Sequence, residues 1–189
     1  IAHPIWAMSS TEPDPAHVST AIVAKVRALA SGQRHVAVCC DSGRSFRHDL
    51  DPAYKGNRPK DENRAVLHHQ IAVAVETLKR DGFPVWSVPG AEADDLLASA
   101  AVLAMGVPDV HVIIASSDKD MLAMVGERCS VQSTQTGNRL DVAGVVAKFG
   151  VSQSQMVDYL SLVGDASDNI KGAKGIGPKR AAELLAQFG

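Results

Sequence analysis

The chain has 189 residues, of which 46% are hydrophobic, and it carries a formal net charge of −2. This length and hydrophobic content allow one ordinary buried core plus a small appended module. The charge excludes a uniformly basic nucleic-acid coat but allows a local one, because 21 acidic residues gathered in one region would mask a basic stripe elsewhere.

Hydrophobic periodicity predicts alternating helices and strands in the first three quarters of the chain. Helical spacing of apolar residues covers 18–29, 65–78 and 91–105, and short apolar runs at 36–40, 85–88 and 110–115 predict strands, with a fourth near Val131. Nearly continuous apolar strands between helices are typical of a buried parallel sheet, so we expect a doubly wound α/β layer. Residues 42–64 are polar, basic and broken by prolines, and we expect them to be exposed.

The pattern changes after residue 141. From Val142 onward it predicts helices only, with glycines between them. We therefore predict an α/β domain at 1–141 and a helical module at 142–189.

Acidic residues follow the first three predicted strands. Asp41 follows the first, Glu92-Ala-Asp-Asp95 follows the second, and Asp118 and Asp120 follow the third. In an open α/β sheet the carboxyl ends of the strands form the ligand-binding edge, so these acids should meet there. A further acidic segment, Gly164-Asp-Ala-Ser-Asp-Asn169, follows in the helical part.

Carboxylates in this number predict a site for hard divalent cations. Mg²⁺ prefers oxygen ligands, and two such ions roughly 4 Å apart can activate water and stabilise the leaving oxygen of a phosphodiester. Each acid alone also has a structural explanation, since an Asp at a strand end caps a turn and acids in a first helical turn favour the helix dipole. The metal-site interpretation is preferred because several independent coincidences would otherwise be needed on one edge.

Two segments are candidates for binding a phosphate backbone. The turn Gly175-Ile-Gly-Pro-Lys-Arg180 opens a helix whose free backbone N–H groups suit a phosphate, and Lys171 and Lys174 precede it. Taken alone, this turn is equally well explained as a solvated helix start. The second segment follows Asp41 and is rich in basic residues, namely Arg44, Arg47, Lys55, Arg58, Lys60 and Arg64.

Five motifs in this order resemble the 5′-nuclease family, which includes the 5′→3′ exonuclease domain of bacterial DNA polymerase I and bacterial and phage flap endonucleases. The motifs are Phe46-Arg-His, Tyr54-Lys-Gly-Asn-Arg58, Glu92-Ala-Asp-Asp95, Ser117-Asp-Lys-Asp120 and Gly164-Asp-Ala-Ser-Asp-Asn-Ile170. The resemblance implies a PIN-like α/β domain with a helical arch, followed by a helix-three-turn-helix module. It also implies a structure-specific, metal-dependent nuclease acting on DNA at a 5′ flap or 5′ end, in replication and repair.

The resemblance assigns roles residue by residue. Asp41, Glu92, Asp94 and Asp95 would belong mainly to a first metal site, and Asp118, Asp120, Asp165 and Asp168 would complete it and a second. Lys55 and Arg58 would act at the scissile phosphate. The remaining residues expected to contact DNA are Arg44, Arg47, Tyr54, Lys171, Lys174, Gly175, Gly177, Lys179 and Arg180. The implied cofactors are two or more Mg²⁺ ions, replaceable by Mn²⁺, and a K⁺ in the helix-three-turn-helix.

The family pattern also has an apolar strand ending in Asp-Gly shortly before the segment matching residues 1–6, and the sequence begins after it, at Ile1. We expect that this strand precedes Ile1 in the natural protein. Three cysteines without paired spacing predict a reducing compartment and buried thiols, and the sequence has no membrane-length apolar run and no signal peptide. The resemblance implies the bacterial cytoplasm, at the nucleoid, with a polymerase domain or replication proteins as partners.

Two other functions stay open at this point. A PIN-type ribonuclease would use similar acids on RNA, although the helical module and Tyr54-Lys-Gly-Asn-Arg58 argue against it. A non-catalytic DNA-junction binder would gain nothing from carboxylates facing phosphate, which argues against that alternative.

Overall fold

The computed structural model describes residues 15–58 and 63–189. The segment 1–6, which matches a segment of the family pattern, lies outside the described residues, as do the side chains of Lys60 and Arg64. The helices are α1 Pro15–Ala30, α2 Arg47–Leu50, α3 Asn63–Arg80, α4 Ala93–Met105, α5 Val142–Phe149, α6 Met156–Val163 and α7 Pro178–Phe188, with 3-10 helices at Lys119–Met124 and Gln153–Gln155. The strands are β1 Val38–Cys39, β2 Val85–Trp86, β3 Val112–Ala115, β4 Cys129–Gln132, β5 Arg139–Leu140, β6 Gly164–Asp165 and β7 Ile170–Lys171.

The predicted parallel pairing of the strands is confirmed, but the strands are shorter than predicted. β1 pairs in parallel with β2, and β3 pairs in parallel with β4, to which β5 adds an antiparallel edge. Within the described residues these form a two-stranded and a three-stranded sheet, and helix α4 contacts both β1 and β3. Because β1 and β2 are parallel, Asp41 and Glu92, which follow them, lie at the same edge of that sheet. Asp118 follows β3 at the corresponding edge of the second sheet.

The hydrophobic core crosses the predicted domain boundary. One buried cluster combines Ile114 and Val131 of the sheet with Met156 and Leu185 of the helical part. A smaller cluster joins α1 to α3, where Val18 and Leu78 are almost fully buried. The boundary at 141 and 142 therefore remains a prediction about chain organisation, since the apolar packing is continuous across it.

The expectation of helices alone after residue 141 is wrong. Strands β6 and β7 form a short antiparallel hairpin, with Gly164 opposite Lys171. A Cβ on Gly164 would lie 2.3 Å from the backbone nitrogen of Gly172, and Gly164 has a φ of +77°. The sequence pattern did not indicate this hairpin because strands of two residues are too short to show a periodicity.

The expectation that residues 42–64 are exposed is wrong at two positions. Ser45 is 1% exposed and Tyr54 is 6% exposed. Ser45 is bridged to Gly90, and the backbone N–H of Phe46 donates to the Gly90 carbonyl at 3.0 Å. This contact brings the basic segment against the loop that precedes α4, so its polar side chains face the acidic motif.

The three cysteines are all free thiols. Cys129 is buried, as predicted, whereas Cys39 and Cys40 are half-buried. Within the part of the chain that the structure describes, no helix combines the length and apolar character needed to cross a membrane.

Candidate metal and nucleic-acid site

The predicted acids converge on one edge of the fold. Asp41 follows β1, Asp94 lies in the first turn of α4, and Asp118 and Asp120 follow β3. Asp94 interacts electrostatically with Asp118, Asp41 and Asp120, and Asp120 interacts with Asp118, Asp165 and Asp168. The β6–β7 hairpin therefore adds its two acids to those supplied by the sheet.

Asp94 is at the centre of the repulsion. Burial, together with the neighbouring charges of Asp118, Asp41 and Asp120, raises the pKa of the Asp94 carboxyl to about 6. Burial and then the charge of Asp118 also raise the pKa of Asp120. Neither side chain forms a hydrogen bond or an ion pair with any described residue, and the charges of Lys55 near Asp94 and of Lys119 near Asp120 offset only part of the effect that raises each pKa.

Asp41 and Asp118 accept backbone hydrogen bonds. Asp41 Oδ1 accepts from the N–H of Ala93 at 2.7 Å, and Asp118 Oδ1 accepts from the N–H of Asp120 at 3.0 Å. Asp118 is thus the N-cap of the 3-10 helix. Each of these carboxylates keeps a second oxygen for another ligand.

Glu92 is held in a buried hydrogen-bond network. It is 7% exposed and accepts from Ser45 Oγ at 2.9 Å, Tyr54 Oη at 3.0 Å and Lys55 Nζ at 2.9 Å. Burial acts to raise the pKa of Glu92, but the hydrogen bonds from Lys55, Ser45 and Tyr54 outweigh it and lower that pKa. Glu92 is therefore kept ionised by the basic segment.

Asp95 is engaged by the helix start and by an arginine. Arg47 Nη1 and Nη2 donate to Asp95 Oδ2 and Oδ1 at 2.8 and 2.7 Å. Asp95 Oδ2 also accepts from the N–H of Glu92 in a reciprocal capping arrangement. The hydrogen bond from Arg47 lowers the pKa of Asp95. Asp95, a predicted metal ligand, therefore binds Arg47, a predicted DNA contact. This pairing does not test either predicted role.

Asp168 and Asp165 also have cationic partners. Arg58 Nη2 donates to Asp168 Oδ1 at 2.8 Å, and Lys55 Nζ lies 3.7 Å from Asp168 Oδ2. Lys119 Nζ lies 3.3 Å from Asp165 Oδ2. Burial acts to raise the pKa of Asp165, but hydrogen bonds from Ser167 and the charge of Lys119 lower it. An open depression of about 340 Å³ lies between the 3-10 helix and the hairpin, and its lining includes Asp118, Lys119 and Asp165.

The donor set suits hard divalent cations, because every candidate ligand is a carboxylate and the central charges repel one another. The structure does not assemble the predicted ligands into one chelating cluster: among the described residues, no three His, Cys, Asp or Glu side chains are close enough to hold one ion together. The eight acids instead divide into two groups. Four are ion-paired with lysine or arginine, namely Glu92, Asp95, Asp165 and Asp168. The other four have no such partner among the described residues, namely Asp41, Asp94, Asp118 and Asp120.

The other predicted phosphate-binding segment, around the turn at 175–180, lies on the helical module. Lys171, Lys174, Lys179 and Arg180 are all exposed, and we refer to them as the basic face. None of the four is paired with an acid in the described part of the chain. Gly175 has a φ of +80°, and Gly177 is the N-cap of α7 with Pro178 at its first position. The N–H groups that begin α7 are thus flanked by cations.

Arg44 lies further from the acids. Its guanidinium forms an exposed pair with Asp49 at 2.6 Å, which leaves it at the surface.

Several residues of this site were not identified from the sequence. Ser45, Lys119 and Ser167 each contact an acid, Asn57 contacts the backbone of Ala166 beside Asp165, and Asn169 contacts the backbone of Ala53 beside Tyr54. Asn57, Lys119, Ser167 and Asn169 lie within the recognised motifs, and only that membership could have indicated them. Nothing in the sequence distinguishes Ser45 from any other serine in a loop.

Comparison with known proteins shows which family the chain resembles along nearly its whole length. Residues 6–150 match the family described as 5′-3′ exonuclease, N-terminal resolvase-like domain, and residues 151–189 match 5′-3′ exonuclease, C-terminal SAM fold. DNA polymerase I of Pseudomonas aeruginosa is 39% identical over 78% of this chain, which spans 16% of that protein. The 5′-3′ exonuclease of Mycoplasma pneumoniae is 39% identical over 77% of this chain, which spans 50% of it. A bacteriophage T5 flap endonuclease solved with DNA and metal ions superimposes with a TM-score of 0.78 at 28% identity, covering 90% of this chain and 67% of that one.

Proposed function

Because the chain belongs to the 5′-3′ exonuclease family, we propose that it is the nuclease part of a structure-specific 5′-nuclease. This enzyme hydrolyses DNA phosphodiesters at a 5′ end or a 5′ flap beside a duplex. The observation that carries the proposal is the convergence of Asp41, Asp94, Asp118 and Asp120 from separate segments without any cationic partner among the described residues. Repulsion among these carboxylates disfavours the folded state, and groups whose pKa is perturbed in this way cluster at functional sites.

The four unpaired acids are the residues that would hold the divalent ions, with Glu92, Asp95, Asp165 and Asp168 around them. Bound Mg²⁺, or Mn²⁺ in its place, would supply an activated water and charge neutralisation of the phosphate. The protein itself supplies orientation: the backbone N–H of Ala93 fixes Asp41, and that of Asp120 fixes Asp118.

Lys55 and Arg58 are the proposed catalytic cations. Both already contact carboxylates at the edge of the cluster, Glu92 at 2.9 Å and Asp168 at 2.8 Å. A phosphate placed among the acids would therefore lie beside two donors that stabilise the negative charge developing on its oxygens. Tyr54 is buried, so we assign it to holding Glu92 and Asp168 rather than to direct contact with DNA.

The basic face is the proposed duplex-binding surface. Phosphates need donors that are not already paired, and Lys171, Lys174, Lys179 and Arg180 meet that requirement. The turn from Gly175 to Gly177 offers backbone groups at the start of α7 and is the proposed K⁺ site. Arg44 and Arg47 are the weaker candidates, since each is paired with an aspartate.

A substrate of this kind places the protein with chromosomal DNA in the cytoplasm of a bacterial cell, in replication and repair. A polymerase domain or replication proteins are the proposed partners. The α/β part, 1–141, would carry the chemistry, and the helical part, 142–189, would hold the duplex.

Cleavage assays on matched substrates test this proposal. The intact natural protein is incubated with Mg²⁺ and either a 5′-flap DNA or a single-stranded RNA, and we expect cutting of the flap near the junction. Asp118→Asn should reduce the cutting rate strongly while leaving the Kd for flap DNA nearly unchanged. Asp158→Asn, at an exposed position on α6, is the control for charge removal.

Each alternative function has its own outcome in the same assay. Preference for RNA would establish a PIN-type ribonuclease. Tight flap binding without any cutting in the presence of Mg²⁺ would establish a non-catalytic junction binder. An equal loss of binding and cutting in Asp118→Asn would mean that the carboxylate is structural.

A further inference from the structure

Two segments far apart in sequence are joined by reciprocal amide hydrogen bonds. Asn57 Nδ2 donates to the carbonyl oxygen of Ala166 at 2.7 Å, and Asn169 Nδ2 donates to the carbonyl oxygen of Ala53 at 2.8 Å. Each asparagine thus reaches the backbone of the segment that carries the other. We call this pair of hydrogen bonds the asparagine clamp.

We propose that Asn57 and Asn169 are positioning residues, which hold Lys55 and Arg58 in place against the carboxylates of the hairpin. This inference rests on the proposed function, because it assigns the two cations to a phosphate. It adds two residues whose amide groups contact only backbone carbonyls and not the carboxylates of the proposed metal ligands.

The clamp surrounds the backbone of Lys55. The N–H of Lys55 donates to the carbonyl oxygen of Asp168 at 2.9 Å, between the two asparagine contacts. Lys55 Nζ reaches Glu92, and Arg58 reaches Asp168. The position of both cations is therefore set by how the 53–58 segment is seated on the hairpin.

The backbone conformation of the two segments supports this role. Lys55 has a φ of +55° and Asn169 a φ of +60°, both in the left-handed region. Asparagine adopts that region readily, whereas lysine is strained there because its Cβ approaches the following carbonyl oxygen. A strained conformation persists where surrounding contacts fix it, and the clamp supplies contacts on both sides of Lys55.

The energetics separate positioning from folding. Asn57 is exposed and Asn169 half-buried, and one hydrogen bond of this kind makes only a small net contribution to the stability of the fold. Loss of one amide should therefore leave the fold intact. A displacement of about 1 Å of a catalytic cation can nevertheless cost about 100-fold in rate.

The variants Asn57→Ala and Asn169→Gly test the inference in the intact natural protein. Glycine at 169 retains access to the left-handed region, so that variant removes the amide without adding backbone strain. Asn138→Ala is the matched control, because Asn138 lies in the β4–β5 turn and its side chain forms no hydrogen bond with any described residue. We expect each test variant to lower the single-turnover rate at saturating flap DNA by about 10- to 100-fold. The Kd for DNA and the midpoint of thermal unfolding should stay near the wild-type values.

Two further readouts distinguish positioning from a general structural effect. In a Lys55→Ala background, Asn57→Ala should add much less than its own single effect, because both changes remove the same interaction. Hydrogen exchange at the backbone N–H of Lys55, measured without metal or DNA, should become at least about 10-fold faster in both variants.

The exchange measurement keeps this inference separable from the proposed function. If the wild-type protein cuts no DNA, the proposed function fails while the exchange at Lys55 still tests the clamp. Unchanged exchange at Lys55 in both variants overturns the inference. Fully multiplicative rate effects with Lys55→Ala, or a wild-type rate in Asn169→Gly, also overturn it.

Discussion

Arg47 binds Asp95 through two parallel hydrogen bonds, of 2.8 and 2.7 Å. Asp95 at the same time accepts from the N–H of Glu92 at the start of α4. The pair thus joins the basic segment to the helix that carries Asp94, and it does so 48 residues apart in sequence. A bidentate, partly buried arginine–carboxylate pair is stronger than an exposed one.

Removal of this arginine should destabilise the fold. Arg47→Ala leaves Asp95 without its partner, and we expect the free energy of unfolding to fall by about 1–3 kcal/mol. Arg44→Ala is the control, since its pair with Asp49 is exposed and should contribute less than about 1 kcal/mol. Chemical denaturation of both variants measures the difference. Equal stability of the two would mean that the Arg47 pair has no more structural importance than a surface pair.

Tyr54→Phe tests the buried network. The hydroxyl donates toward both Glu92, at 3.0 Å, and Asp168, at 3.1 Å, so its removal withdraws a donor from two carboxylates. We expect a loss of about 1–3 kcal/mol in the free energy of unfolding. Tyr159→Phe is a close control because Tyr159 is also 6% exposed but its hydroxyl has no partner among the described residues. If Tyr159→Phe lowered the free energy of unfolding by as much, the effect of Tyr54→Phe would come from packing and not from the two hydrogen bonds.

Asp94→Asn should make the metal-free protein more stable and the metal response weaker. It removes the charge that three other aspartates repel, and we expect the midpoint of thermal unfolding to rise by about 2–4 °C, the shift that ~1 kcal/mol produces at this size. Added Mg²⁺ should stabilise the wild type but not the variant. Asp158→Asn should show neither effect. A lower midpoint in Asp94→Asn would show that the carboxylate is a structural group.

Glycine at 164 and at 172 is required by the close approach of the hairpin strands. A Cβ on Gly172 would lie 2.4 Å from the carbonyl carbon of Val163, and one on Gly164 would lie 2.3 Å from Gly172 N. Gly164→Ala and Gly172→Ala should therefore displace the hairpin, with losses in stability above about 2 kcal/mol and reduced cleavage.

Gly137→Ala separates clash from backbone strain. Its φ of +76° matches that of Gly164, but a Cβ there would meet no atom within 4 Å. We expect a cost of about 1–2 kcal/mol, from the left-handed conformation alone. Equal losses at 137 and 164, measured by denaturation, would contradict the steric explanation.

Lys179→Ala should weaken DNA binding through electrostatics. If Lys179 contacts one phosphate, the slope of log K against log salt concentration should fall in magnitude by about 1. Arg128→Ala is the control, because Arg128 precedes β4 at the opposite sheet edge from the acids. A titration of flap-DNA binding from low to moderate salt measures both. An unchanged slope in Lys179→Ala would exclude the start of α7 from the interface.

The sequence by itself determined which residues could form the site. Short apolar strands followed within a few residues by Asp41, Glu92 and Asp118 predict acids at one sheet edge, because parallel strands place their carboxyl ends together. The spaced motifs identified the family, because each motif is a short local run of residues that can be recognised without the structure. Hydrophobic periodicity gave the helices within a few residues, since burial of one face dictates it.

Only the tertiary structure decided which acids are compensated and by which cations. The contacts of Lys55 with Glu92 and of Tyr54 with Asp168 join residues 37 and 114 positions apart. Contacts over such distances depend on how whole elements pack and on left-handed backbone at Lys55 and Asn169, neither of which has a periodic signature. The sequence therefore supplied the charges, and the folded backbone set their partners, because ionic and hydrogen-bond pairing requires positions correct to within a few tenths of an ångström.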